Sequence, residues 1–445
     1  MDNLLKKDRQ FIWHPYTQMK DCQKNPPILI KRGKGIKLYD QRGKFYYDTI
    51  SSWWCNVHGH NHPRIKEAIK QQLDSLEHVL FAGFTHRPAI ELAERLVSIT
   101  PKKLTKVFFS DNGSTAVEVA MKISFQYWKN IGKPRKEKFI SLDHGYHGDT
   151  VGAMSVSGVD MYNEIFRPLN FASYKLASPY CYRCPLGKKR DTCSIDCLDS
   201  LERLLEDKSP EISGIILEPR VLAAGGMIVY PKEYLIKAAS LANKYGVHLI
   251  ADEVATGFGR TGELFASAFL EDAPDLLCLS KGITSGYLPL AATLVSEKIF
   301  RAFYADYLQK KTFFHGHTYT ANPLACAAGV ASLKVFKEEN TMARVKKMLP
   351  LFYNLMERFR ELPLAGDVRY LGLIGAIELV KDKKTKKRFD LRERIGQKAY
   401  LAGLEKNIIL RPLGNIIYLF LPLCIKEEEL KEVTGITYAV IKSLS

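Results

Sequence analysis

Between residues 88 and 333, short apolar runs alternate with stretches of helical periodicity, and this alternation leaves few folds open. The runs are residues 106–109, 138–141, 214–217, 247–251, 276–279 and 290–295, each too short for a helix. Strands alternating with helices predict a mostly parallel sheet wrapped by helices on both faces, an α/β fold. Before this region, turn signals at Asn25-Pro26-Pro27, Gly33-Lys34-Gly35 and Asp40-Gln41-Arg42-Gly43 separate short runs that read as hairpins. Helical periodicity starts after Pro63. Beyond Val330 a long helical stretch leads into a second, smaller α+β region, with strands expected at 372–379 and 416–421. The expected division is an N-terminal segment of the small domain (1–65), a large domain (66–334) and a C-terminal small domain (335–445).

In an open α/β sheet, functional groups gather beyond the carboxyl ends of the strands. The residues just past each run are therefore informative. After 106–109 come Ser110-Asp111-Asn112-Gly113-Ser114-Thr115 and a helix, and a glycine with hydroxyls at a helix start offers free N–H groups to a phosphate. After 138–141 comes Gly145-Tyr146-His147-Gly148, an aromatic between glycines that suits a flat ligand. After 247–251 comes Asp252, and after 276–279 comes Ser280-Lys281-Gly282. Phosphate cradle, ring-flanking Tyr146, acid and lysine at four strand ends describe a site for pyridoxal 5′-phosphate. Lys281 would form the Schiff base and shuttle a proton. Asp252 would pair with the pyridine nitrogen and keep it protonated.

Gly257-Phe258-Gly259-Arg260-Thr261-Gly262 matches the dinucleotide fingerprint G-x-G-x-x-G, yet Asp252-Glu253 stand between the strand and these glycines. Two carboxylates there would repel a pyrophosphate, so the glycines read as turn residues. No stretch reaches the roughly 20 apolar residues of a membrane span. The N-terminus MDNLLKKDRQFIWHPY has no apolar signal region, so the expected location is the cytoplasm. The net charge of +17 invites a nucleic-acid reading, but lysines and acids are interspersed and no nucleic-acid-binding motif is present. The run KDKKTKKR from Lys381 reads as a solvated face. Cys181, Cys184, Cys193 and Cys197 have C-x2-C and C-x3-C spacing, which suits zinc, small apolar packing or pairwise oxidation; no metal is assigned. His58-Gly59-His60-Asn61-His62 reads as turn histidines.

The order Asn112-Gly113-Ser114, Gly145-Tyr146-His147-Gly148, Ala251-Asp252-Glu253 through Gly262, and Ser280-Lys281-Gly282 resembles the class III aminotransferases of PLP-dependent fold type I. The resemblance covers nearly the whole chain. It implies a homodimer with its active site at the subunit interface, and His315-Gly316-His317-Thr318 resembles the segment whose threonine reaches the neighbouring subunit's phosphate. Within the class, Trp13-His14-Pro15-Tyr16, Ser51-Ser52-Trp53-Trp54 and Arg411-Pro412-Leu413-Gly414 resemble the members that aminate 8-amino-7-oxononanoate with S-adenosylmethionine as donor. By that resemblance Tyr16, Trp53 and Tyr146 line the substrate pocket, with Tyr16 joining Lys281 in the chemistry. Gly316 adjoins the substrate, His317 and Thr318 the cofactor, and Arg411 clamps a carboxylate. Lysine as donor, or another ω-amino acid substrate, are the alternatives. Leu222 stands where many relatives carry a glutamine near the cofactor's ring hydroxyl, which puts that hydrogen bond in question.

Overall fold

The computed structural model describes residues 3–444. Its first sheet is an antiparallel meander of β1 (Ile30–Lys34), β2 (Lys37–Asp40) and β3 (Phe45–Tyr47). This N-terminal segment is tied to the far end of the chain. Tyr47 N–H donates to Asn407 O at 2.8 Å, and Phe420 N–H donates to Thr49 O at 2.7 Å.

The central region carries β4 (Leu104–Ser110), β5 (Lys138–Leu142), β6 (Tyr174–Leu176), β7 (Ile212–Leu217), the ribbon β8 (Val221–Leu222) and β9 (Ile228–Val229), then β10 (His248–Asp252), β11 (Leu276–Leu279) and β12 (Ala291–Ser296). Seven of these strands form one sheet in the order β4-β12-β11-β10-β7-β5-β6. All six expected runs are strands of it. The sheet is parallel except for β12, which is antiparallel to both β11 and β4. The connection from β11 to β12 contains one 3-10 turn, Lys281–Thr284, and no crossover helix, so the chain returns antiparallel.

Side chains alternate between the faces, as the strand period requires. Ile216, Ile250 and Leu276 pack against the helix Gly113–Asn130. Ile215, Leu217 and Leu249 pack on the other side, against the helix Lys232–Lys244. Because β4, β5, β10 and β11 share one direction, Ser110, Leu142, Asp252 and Leu279 finish along one edge of the sheet.

The C-terminal region is a four-stranded antiparallel sheet of β13 (Ala365–Leu371), β14 (Ile374–Asp382), β15 (Lys387–Arg388) and β16 (Ile416–Phe420), with β14 bonded to the other three. β13 escapes the sequence reading because Gly366, Asp367 and Arg369 interrupt its apolar pattern. Lys381 to Arg388 form the exposed end of β14, a turn and β15, the solvated face expected of them. Among the described residues, no helix is long and apolar enough to cross a membrane.

Candidate active site

Lys281 follows β11 directly, in a left-handed conformation with φ +44°. Its side chain is partly buried, and desolvation pushes the ammonium below its ordinary value; Asp252 and Glu218 oppose that shift. Among the described residues Nζ has no hydrogen-bond or ion-pair partner. It lies 4.9 Å over the Trp54 ring. That shift favours the free amine, the form that attacks a carbonyl.

Asp252 ends β10 and is 3% exposed. His147 Nδ1 lies 2.7 Å from its Oδ2, and Val254 N–H donates to its Oδ1 at 3.1 Å. The next carboxylate, Glu253, points elsewhere. It is saturated by Ala266 N–H, Ser267 N–H and the Ser267 hydroxyl at 2.6 to 2.8 Å. Gly259 and Gly262 have φ +87° and +91°, and a Cβ on Gly259 would stand 2.7 Å from Leu423 Cδ1. They are turn residues, as expected, and no phosphate loop forms there.

The phosphate cradle is assembled from two loops. Asn112 caps the helix Gly113–Asn130, accepting from Thr115 N–H at 3.1 Å, while the Thr115 hydroxyl accepts from Asn112 N–H at 3.0 Å. The N–H groups of Gly113 and Ser114 then have no partner within the helix. Ser114 Oγ accepts from Asp149 N–H at 3.2 Å, and Gly148 packs so tightly here that a Cβ would be 1.9 Å from Ser114 Oγ.

The pocket wall is aromatic. Tyr16 Oη donates to Asp149 at 2.7 Å from both carboxylate oxygens and lies 3.3 Å from Tyr146 Oη. Burial pushes both phenols upward, so they remain protonated donors at neutral pH. The Tyr16 ring meets Trp53 and Tyr162 edge-on at 5.7 and 5.2 Å. The Arg411 guanidinium sits 4.2 Å over the Trp53 ring. Trp53 and Trp54 lie in a left-handed turn, a conformation costing L-residues roughly 1–2 kcal/mol each.

Tyr16, Trp53, Gly113, Ser114, Tyr146, Asp252, Lys281 and Arg411 thus come from distant segments to one edge of the sheet. The segment from Gly316 to Thr318 does not join them within one chain. His317 Nδ1 pairs with Asp111 Oδ2 at 2.9 Å beside the cradle, Gly316 faces open space, and Thr318 is exposed. Leu222 does not face the ring site. It packs behind the sheet with Ile140 and Leu217, while Val221 clusters with Trp54, Ala255 and Tyr146. A two-residue strand puts neighbours on opposite faces, so Val221, and not Leu222, shares the cluster of Trp54 and Tyr146. The sequence reading also passed over His147, Asp149, Trp54, Tyr162 and Glu218 as site residues. All but Tyr162 and Glu218 lie close in the chain to a residue it had chosen.

The three histidines are turn and packing residues. His58 is at 3.1 Å from Ser332 O, His60 at 2.8 Å from Asp48 Oδ2 and His62 at 3.1 Å from Glu339 Oε1. The four clustered cysteines are free thiols lining one small cavity. Among the described residues, no group of three or more His, Cys, Asp or Glu is arranged to hold a metal.

A partly buried amine without a hydrogen-bond partner, a buried carboxylate steadied by an imidazole, and a helix N-terminus cleared by glycine fit one small ring bearing an aldehyde and a phosphate. Comparison with known proteins agrees with this chemistry. The family model for aminotransferase class III matches residues 18–441. The chain belongs to the class III aminotransferases. The adenosylmethionine-8-amino-7-oxononanoate aminotransferase of Geobacter sulfurreducens is 47% identical to this aminotransferase over 95% of the chain and 94% of the relative. The crystal structure of the protein of that name from Methanocaldococcus jannaschii superposes with TM-score 0.94, at 42% identity, covering 99% and 98% of the two chains. The Pseudomonas jessenii omega transaminase, solved in complex with PMP, gives TM-score 0.93 at 33% identity over 100% and 98%. With these neighbours, the fold of the aminotransferase is that of the PLP-dependent transaminases.

Proposed function

We propose that this aminotransferase uses pyridoxal phosphate to aminate the ketone of 8-amino-7-oxononanoate, giving 7,8-diaminononanoate, a step of biotin synthesis, with S-adenosylmethionine as amino donor. Several relatives at 41–47% identity over nearly the whole chain carry this activity in their names. The observation that carries the reading is the charge layout of the pocket. Arg411 supplies a cation over Trp53, and Asp149, held by Tyr16, supplies an anion near the Tyr146 ring. The acceptor has a carboxylate at one end and an ammonium next to its ketone, so it matches both charges. A sulfonium donor also suits a carboxylate bonded to Tyr16, whose ring packs against Trp53 and Tyr162.

The bound cofactor supplies an aldehyde and an electron-withdrawing ring. The chain's own groups do the rest. Lys281 presents its amine and carries a proton on Nζ. Asp252, fixed by His147, holds a proton at the pyridine nitrogen. Gly113 and Ser114 would hold the phosphate, and Tyr146 would flank the ring. Arg411 and Asp149 orient the acceptor. Thr318 of a second copy of the chain, with Gly316 and His317, would complete the phosphate and substrate walls, which makes the active form a homodimer. The division into 1–65, 66–334 and 335–445 accords with the same reading, in which the N-terminal segment pairs with the C-terminal one and the strand ends of the middle segment carry the cofactor.

Purified protein is tested with 8-amino-7-oxononanoate and either S-adenosylmethionine, lysine or 4-aminobutyrate. Activity with S-adenosylmethionine and parallel initial-rate plots are expected, since one pocket serves both substrates in turn. Intersecting plots would sink the scheme, and turnover with lysine alone would replace the donor. Lys281→Ala should abolish the visible absorbance of the lysine-linked cofactor.

A further inference from the structure

Residues 51–54 come shortly after β3 and take an unusual conformation. Ser51, Ser52, Trp53 and Trp54 have φ of +48°, +47°, +78° and +71°, a full left-handed turn without a glycine. Trp54 N–H donates to Ile50 O at 2.8 Å, and Cys55 N–H donates to Ser51 O at 3.0 Å. The handedness has a consequence for the pocket. It aims two consecutive indoles at different parts of it: Trp53 lies under Arg411 and against Tyr16, and Trp54 lies under Lys281. A strand would send them to opposite faces, and a right-handed turn would aim them elsewhere.

L-residues do not hold such a turn unaided. Here its outer side is held by Asp48, which is 1% exposed. One oxygen of Asp48 accepts from Ser52 N–H at 2.9 Å, and the other accepts from the Ser52 hydroxyl at 2.6 Å. His60 Nε2 lies 2.8 Å from that second oxygen. His60 is itself fixed. Its backbone exchanges two hydrogen bonds with Gly35, at 2.7 and 3.1 Å, and a Cβ on Gly33 would stand 2.7 Å from the His60 Cβ. The chain of contacts runs Gly33–Gly35, His60, Asp48, Ser52, Trp53, with each link direct. Neither Asp48 nor His60 touches Lys281, Arg411 or Tyr16 through any hydrogen bond or ion pair among the described residues.

We propose that Asp48 and His60 are positioning residues for the substrate pocket, holding the left-handed turn and through it the Trp53 indole beneath Arg411. The proposal rests on the substrate reading above for its kinetic arm and on the turn alone for its spectroscopic arm. The loss of a binding wall that serves ground state and transition state alike raises KM and leaves kcat. His60→Ala in the cofactor-loaded enzyme is expected to raise KM for 8-amino-7-oxononanoate about tenfold, with kcat within about twofold. His60→Gln keeps an N–H toward Asp48 and should restore KM to within about threefold. Near-ultraviolet circular dichroism from the paired indoles should change in His60→Ala and Asp48→Asn and return in His60→Gln. In a Trp53→Ala background, His60→Ala should add nothing further to KM, because its effect passes through that ring.

Multiplying effects of His60→Ala and Trp53→Ala on KM, or an unchanged indole signal in both His60→Ala and Asp48→Asn, would overturn the proposal. If the wild-type enzyme does not turn over 8-amino-7-oxononanoate, the substrate reading fails and the indole signal alone decides the turn. Should His60→Ala not fold, Ser52→Ala removes the hydroxyl bond to Asp48 at 2.6 Å and the longer hydroxyl contact with His60 Nε2 at 3.4 Å. It should raise KM about threefold with the same spectral change, and an unaltered KM and spectrum would then refute the idea.

Discussion

Glu218 shows how one residue's surroundings decide its charge. It is 3% exposed, its oxygens accept from Tyr146 N–H at 2.9 Å and Ala223 N–H at 3.0 Å, and Asp252 is close by. Burial first, and the charge of Asp252 second, push its carboxyl from the ordinary 4.5 up to about 8. The acid is therefore neutral at pH 7, which spares the site a second anion beside the one that must hold the pyridine proton. The folded chain keeps a proton here that the unfolded chain has lost, so folded protein binds more protons between about pH 4.5 and 8. Stability from this group accordingly falls as pH rises through that window. Glu218→Gln copies the neutral acid and removes the slope. In the cofactor-free protein, urea midpoints of variant and wild type should agree near pH 4.5 and separate by pH 8, with the variant more stable by on the order of 3–5 kcal/mol. Equal slopes would mean that Glu218 is ionised in the folded chain. Nothing in the sequence around Glu218 announces this, because the shift comes from Asp252 and from burial under a sheet edge, neither of which has a local signature.

At the scale of elements, the phosphate cradle depends on how closely the loop after β5 approaches the helix Gly113–Asn130. A Cβ on Gly148 would stand 1.9 Å from Ser114 Oγ, 2.6 Å from its Cβ and 2.9 Å from its Cα, so no rotamer of Ser114 clears it. Its φ of +128° is closed to other residues as well. Gly148→Ala should push the loop off the helix start and weaken binding of pyridoxal phosphate to the cofactor-free enzyme at least tenfold, about 1.4 kcal/mol. Gly132 ends the same helix with φ +78° and nothing within 4 Å. Gly132→Ala should cost roughly 1 kcal/mol of stability and leave that affinity unchanged. Equal affinities for both variants in a fluorescence titration would show that the contact does not shape the cradle. The strand ends on which this cradle rests were legible because apolar runs of four to six residues announce strands, and a parallel sheet brings their carboxyl ends to one edge. The reversed direction of β12 was not legible, since its residues read the same either way and only the missing crossover decides. Gly113, Ser114, Tyr146, Asp252 and Lys281 could be found from strand ends alone. Arg411, Trp53 and Tyr16 came only through family resemblance, because they lie on loops joined by tertiary contacts. His147 shows the limit most plainly: it meets Asp252 across 105 residues of chain.

For the whole molecule, the surface left bare by one chain argues for a second. Leu80, Phe84, Tyr304, Tyr307, Leu308, Phe314 and Tyr319 are all more than half exposed. They lie on two segments that touch, since Asn322 Nδ2 donates to Glu77 O at 3.1 Å and the His78 and Tyr319 rings are 5.3 Å apart. Apolar surface gathered in this way marks an interface. The net charge of +17 does not describe this patch, which is aromatic and aliphatic. The same segment carries Thr318, exposed and without a hydrogen bond among the described residues, one position from His317 beside the cradle. In our reading the patch and the unfinished phosphate site are two sides of one fact: pairing of two chains covers the first and completes the second. Leu308→Asp combined with Phe314→Asp places two anions in the patch and leaves every cofactor contact of a single chain intact. Sedimentation should then give the mass of one chain, against the mass of two expected for the wild type. Affinity for pyridoxal phosphate should fall together with the dimer, by about tenfold or more if Thr318 supplies a charge-assisted bond to phosphate. A single substitution, Thr318→Ala, should lower cofactor affinity while the mass stays that of a dimer, which separates the hydroxyl from the contact that delivers it. A monomer that binds cofactor as tightly as the wild type would show that each chain's site is complete by itself, and Thr318 would have no part in it.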